Sequence, residues 1–188
     1  MSRTVQLVLL CEDRQHETLA RRFLEKAGWP TRRLRVEIAP PGRGSAEQFV
    51  RERFPVELSA YRSTRNQVTQ ALVVIIDGDK QGVRSRFAEL ADACHASNIP
   101  PRQDNDHVLV AVPTWNIETW LAYLGGLTVD EGRDDYPRLS RPRECQQHVN
   151  RLYEMCQQGS LRQPSPPSLD AACNEYRSRL QRRQDGAG

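Results

Sequence analysis

Four short apolar runs alternate with amphipathic stretches along the N-terminal part of the chain. Thr4–Cys11, Leu72–Ile76 and His107–Val112 are rich in Val, Leu and Ile and too short for core helices, so they predict strands buried on both faces. Arg33–Ala39 differs, because Leu34, Val36 and Ile38 alternate with charged neighbours as in a half-exposed strand. Helical spacing fills the intervals. His16–Ala27 places Leu19, Ala20, Phe23, Leu24 and Ala27 on one face and stops at Gly28. The loop Pro40–Ser45 leads into a helix from about Ala46, which Pro55 is expected to interrupt or end, with more helix to Arg65. Val83–Ser97 carries Phe87, Leu90, Ala91 and Cys94 on its core face, and Pro100 and Pro101 close it. Ile117–Leu124 is a short helix with Asn116 as its N-cap. This alternation predicts an α/β domain with a mainly parallel sheet flanked by helices.

Past Gly125 and Gly126 the pattern turns polar. Helices are expected at Pro142–Gln157 and Ser168–Arg183, joined by a stiff Pro-rich loop. Residues 1–126 then form the α/β domain, 127–184 a helical C-terminal extension packed on it, and 185–188 a disordered tail. No internal repeat is visible.

The length suits one ordinary domain with a real core. No apolar run is long enough to span a bilayer, and Met1–Thr4 leads into a strand without a signal-peptide pattern, so a cytoplasmic protein is expected. The five cysteines, Cys11, Cys94, Cys145, Cys156 and Cys173, are scattered, lack zinc-site spacing and read as reduced. Net charge is +3, and Lys26 and Lys80 are the only lysines. Arginine suits bidentate phosphate recognition, although codon usage in a GC-rich genome accounts for it equally well.

The chemistry gathers at strand ends. Asp77 and Asp79, one residue apart, follow the run Ala71–Ile76, with Gly78 expected to let the backbone turn between them. Glu12 and Asp13 follow the first strand, and Glu118 comes soon after the last. In a parallel sheet these ends share one edge, where acids distant in sequence can meet. Such a cluster suits divalent cations and two-metal phosphoryl transfer. The plainer reading is a solvated sheet edge with an Asp-Gly turn.

Leu7-Val-Leu-Leu-Cys-Glu12 followed by Val73-Val-Ile-Ile-Asp-Gly-Asp79 resembles the Toprim pattern of topoisomerases, primases and OLD-type nucleases. Asn116-Ile-Glu-Thr-Trp120 is similar to a segment of small Toprim-like proteins that accompany ATPases in bacterial defence loci. The resemblance implies a Toprim-like, Rossmann-like fold and a metal-dependent nuclease. It would cleave DNA, or less expectedly RNA, beside an ATPase partner in defence against foreign DNA. It makes Glu12 a general acid/base or metal ligand, and Asp77 and Asp79 ligands of Mg2+ or Mn2+. Glu118 joins the metal set by position, its alternative being an acid favoured by a helix start. Toprim proteins usually carry Gly after the first Glu, where this chain has Asp13; OLD-type nucleases often have a second acid a helical turn on, near Glu17, which is expected here to face solvent.

Lys80 is a candidate phosphate contact or a solvated turn residue. Arg43, in the loop Gly42–Gly44, is a candidate for tracking a phosphate backbone or part of a simple connection. Arg51, Arg53, Arg62 and Arg65 suit a nucleic-acid channel or a solvated helix face, the latter being the default. Trp115 and Trp120 could stack on bases but are expected to wall the core. Arg21 and Arg22 are equivalent candidates for a phosphate, and the four histidines show no catalytic or metal spacing. Two other functions fit less well. One is a non-catalytic regulatory or interaction subunit on the same fold. The other is a haloacid-dehalogenase-type phosphatase, whose Asp-x-Asp would belong on the first strand, with Thr or Val where this chain has Gln81.

Overall fold

A computed structural model describes residues 7–65 and 71–181. The start of the first expected strand and the expected disordered tail lie outside them. Strands β1 (Leu7–Cys11), β2 (Leu34–Ile38), β3 (Ala71–Ile75) and β4 (Val108–Ala111) form one sheet in the order β2-β1-β3-β4. Every pairing is parallel, with Cys11 opposite both Ile38 and Ile75, and Ile75 opposite Ala111. The C-terminal ends of the strands therefore lie level.

The chain first moves outward from β1 to β2, then returns across β1 to β3 and on to β4. Right-handed crossovers require the connecting helices to change face when that direction reverses. They do. Helix α1 (Arg14–Lys26) packs on the face that carries Leu7, Leu9, Cys11, Val73, Ile75 and Ala111. Helices α2 (Ala46–Thr64) and α3 (Gly82–Ala96) cover the other face, on Leu10, Leu72, Val74, Ile76 and Val110. The reversal makes the gap between β1 and β3 a topological switch point, where open α/β sheets place their ligands.

Helix α2 runs unbroken through Pro55, contrary to the expected interruption. Val50, Phe54, Leu58 and Tyr61 are buried along one stripe of it. That burial holds the helix through the hydrogen bond that proline cannot make. Helix α4 (Ile117–Leu124) has the expected bounds, but Asn116 makes no side-chain cap bond at its start. A 3-10 turn at Pro142–Cys145 opens α5 (Gln146–Gln158), and α6 is Pro167–Arg179. Val149, Leu152, Leu169 and Tyr176 from this C-terminal region share the apolar cluster of β1, β3 and α1.

The reduced reading of the cysteines fails at one pair. Cys156 of α5 and Cys173 of α6 face each other with Cα atoms 5.3 Å apart and are joined by a disulfide. Sequence spacing did not expose them because the facing of two helices brings them together. Cys11, Cys94 and Cys145 are free and buried. Among the described residues no helix is long and apolar enough to cross a membrane.

Candidate functional site

Glu12 leaves the end of β1 and turns toward β3. Its Oε1 accepts a hydrogen bond from the Asp77 backbone N at 2.6 Å. Burial, then the charge of Asp77, pushes the Glu12 carboxyl up to about 7. Asp13 instead serves the helix: its Oδ1 caps α1 by accepting from the backbone N of Gln15 and of His16, each at 2.9 Å. The backbone there is extended, a conformation that asks for no glycine.

The cap directs the first turn of α1 back over the site. His16 is completely buried, and its Nε2 lies 3.1 Å from Asp77 Oδ1. Burial pulls the imidazole pKa down, but the charge and hydrogen bond of Asp77 outweigh it, and it rises to about 9. Glu17 is also buried, not solvent-facing as expected, because Arg14 at 2.6 Å and Arg21 at 3.1 Å neutralise it. Arg21 is thereby occupied, and Arg22 donates to the Arg143 carbonyl.

Asp77 and Asp79 exit β3 beside the β4–α4 connection. Gly78 N donates to Pro113 O at 2.8 Å and Asp79 N to Trp115 O at 2.9 Å. The expected role of Gly78 is corrected here: the positive φ belongs to Asp79, at 48°. Gly78 is required by proximity, since a Cβ there would stand 2.2 Å from the Thr114 carbonyl oxygen. Asp is one of the few side chains that tolerate the left-handed region, and strain of this kind gathers at functional sites.

Arg86 of α3 organises the acids from below. It is 3% exposed; its Nε donates to Asp77 O at 2.8 Å and its Nη2 to Asp79 Oδ2 at 2.9 Å. Its Nη1 reaches Glu89 at 2.7 Å and Glu47 at 3.2 Å. Burial, then repulsion from Asp77, raises the Asp79 carboxyl despite Arg86. Exposed Lys80 and half-buried Trp115 line an open groove of about 410 Å³ beside Asp79. Trp115 is therefore not the core wall expected of it, whereas Trp120 is buried and donates to Ser168 Oγ at 2.8 Å.

Glu118 enters from the first turn of α4 and is 3% exposed. Arg138 Nε lies 2.8 Å from its Oε1, and the same guanidinium lies 3.6 Å from Asp13 Oδ2. One side chain thus spans the starts of α1 and α4. Arg43 is exposed on the β2–α2 connection, at the same sheet edge but beyond β1. The arginines of α2 and of its C-terminal cap are partly exposed, and each is paired with an acid. Arg51 pairs with Glu47 and Arg53 with Glu57, while Arg62 and Arg65 both hold Asp106.

Glu12, Asp77 and Asp79 therefore share one locus, and Glu118, at the start of α4, is linked through Arg138 to Asp13 beside it. His16, Arg86 and Arg138 are the site residues that sequence reasoning missed. Among the described residues no three His, Cys, Asp or Glu side chains already close round a point at metal-binding distance. The donors nevertheless suit Mg2+ or Mn2+: they are all carboxylate oxygens, and Glu12 and Asp79 are raised by burial first and then by the negative charge of Asp77. A divalent cation would relieve that repulsion. No protein-family model, curated protein or solved structure matches this chain.

Proposed function

We propose that this chain is a Toprim-like nuclease, dependent on Mg2+ or Mn2+, that hydrolyses phosphodiester bonds in nucleic acid, with DNA as the expected substrate and RNA as the alternative. The observation that carries this reading is the meeting of Glu12 with Asp77 and Asp79 at the switch point, fastened by the Asp77 N–Glu12 bond. Asp77, Asp79 and Glu12 would hold the cation, with Glu118 joining from α4. Bound there, a divalent cation activates water and stabilises developing charge on phosphate oxygens.

The protein's own groups supply the rest. Glu12 has the alternative role of general acid/base: if the cation leaves it free, its carboxyl, raised by burial and then by the charge of Asp77 to about 7 in the metal-free protein, is suited to take and return a proton at neutral pH. His16 and Arg86 fix the Asp77 carboxylate and carbonyl, as partners of ligating carboxylates do. Lys80 offers a cation to phosphate in the groove, and Trp115 a face on which a base can stack. Arg43 would meet the backbone farther along the same edge. An ATPase partner and a role in defence against foreign DNA follow from the Toprim resemblance.

A second reading is a non-catalytic subunit of such a complex. It is favoured by the protein cations already on the acids: His16 on Asp77, Arg86 on Asp79 and Arg138 on Glu118. Nicking of supercoiled plasmid by the purified protein in Mg2+ or Mn2+ distinguishes the two. The nuclease reading requires nicking that Asp77→Asn/Asp79→Asn abolishes. No nicking by wild type, alone or with the ATPase partner that the resemblance implies, supports the non-catalytic subunit.

A further inference from the structure

Arg138 is carried by the segment between α4 and α5, which is irregular yet well fastened. Leu139 and Val129 pack against the core cluster, and Glu131 accepts from the backbone N of Ser168 at 3.3 Å. Asn116 Nδ2, just before α4, donates to the Asp134 carbonyl at 3.3 Å. The backbone beside Arg138 is thus anchored, while its side chain remains 74% exposed.

Its partner has the opposite environment. The Glu118 side chain is 4% exposed, and Arg138 supplies its ion pair. That contact is close but not aligned, so Glu118 Oε1 lacks a hydrogen bond in spite of its burial. Thr119 Oγ1 and Asn116 Oδ1, at the same helix start, are also buried without hydrogen-bond partners. A buried carboxylate held by one misaligned, solvent-exposed guanidinium has a counter-ion that can leave at little cost, provided that another cation takes its place.

We propose that Arg138 occupies two positions. Before the divalent cation arrives it is the counter-ion of Glu118; once the cation takes that carboxylate, Arg138 turns outward and binds a phosphate of the substrate. The inference rests on the metal-site reading above. Neither charge is left without a partner: the incoming cation replaces the guanidinium on Glu118, and the guanidinium meets the incoming anion. Arginine suits the second position because its fork accepts two phosphate oxygens at once.

The two roles predict opposite effects of one substitution. Arg138→Gln should bind Mn2+ about tenfold more tightly by calorimetry, because a competitor for Glu118 is gone. The same variant should bind a short DNA oligonucleotide about tenfold more weakly in Ca2+. Arg133→Gln, on the same segment but paired with Asp135, should leave both affinities unchanged. In a Glu118→Gln background Arg138→Gln should no longer tighten Mn2+ binding, which separates competition from the general loss of a positive charge. Mn2+ binding by wild type with no gain in Arg138→Gln overturns the inference alone, as does unaltered oligonucleotide affinity. Absence of Mn2+ binding by wild type overturns it together with the metal-site reading.

Discussion

Replacing Gly78 by Ala probes the contact that sets Asp77 and Asp79 beside the β4–α4 connection. A Cβ at this position would lie 2.2 Å from Thr114 O and 2.7 Å from Pro113 O. Both are backbone atoms, so no rotamer change relieves the clash, and the two connections must part by roughly 1 Å to restore ordinary contact. The hydrogen bonds Gly78 N–Pro113 O and Asp79 N–Trp115 O lie across that gap. Losing them costs about 1 kcal/mol each, and overpacking adds about 1–3 kcal/mol. A total of about 4 kcal/mol would lower Tm by about 10 °C in a chain of this size. Gly82→Ala is the comparison, because Gly82 has φ +78° but nothing within 4 Å of a Cβ. It should cost only the backbone strain, about 1–2 kcal/mol. Thermal melts followed by far-UV circular dichroism report both. A Gly78→Ala melt no lower than that of Gly82→Ala refutes the close approach as the reason for glycine here.

Two further predictions concern charge. In chelator, the Glu12 carboxyl (about 7 folded, 4.5 unfolded) binds protons more tightly in the folded state, so stability should fall as pH rises from about 4.5 to 7. His16 (about 9 folded, 6.5 unfolded) adds stability that is full below about 6.5 and lost as pH rises through 9. Glu12→Gln should remove the lower of these two declines in Tm-versus-pH profiles; a wild-type profile flat from pH 5 to 8 would contradict the assigned burial. Away from the site, Asp106→Ala should lower unfolding free energy in urea by about 3 kcal/mol, because a fully buried carboxylate holding Arg62 at 2.6 Å and Arg65 at 3.1 Å is lost. A cost below about 1 kcal/mol would mean that both arginines rehydrate freely.

Much of this arrangement was legible in the residues. Short β-branched runs alternating with amphipathic stretches have few solutions other than a parallel sheet, and acids directly after two central strands must then share an edge. Glu12, Asp77 and Asp79 were readable for that reason. The cations that hold them were harder. Arg86 left a trace, since it recurs with Leu90 and Cys94 at four-residue spacing and so falls on the buried stripe of α3. His16 left a weaker one: a histidine in the first turn after an acid-ended strand points back at that edge, yet four histidines without mutual spacing carry no such message. Arg138 left none, because the segment that bears it has no periodicity and is positioned by tertiary contacts with Asn116, Ser168 and the apolar core. Pro55 misled because local hydrogen-bond loss is visible in sequence while the stripe of burial that offsets it is tertiary. Cys156 and Cys173 were misread for a related reason, as only the docking of α5 on α6 brings them together.

Everything proposed for the site turns on whether the acids at the β1–β3 switch point take a divalent cation. The most direct measurement is anomalous scattering from a crystal of the protein soaked in Mn2+. The expected result is a peak within coordination distance of Asp77 and Asp79, with Glu12 in its shell and Arg138 withdrawn from Glu118. Saturating Mn2+ with no peak there, and with His16 still on Asp77 and Arg86 still on Asp79, would contradict it.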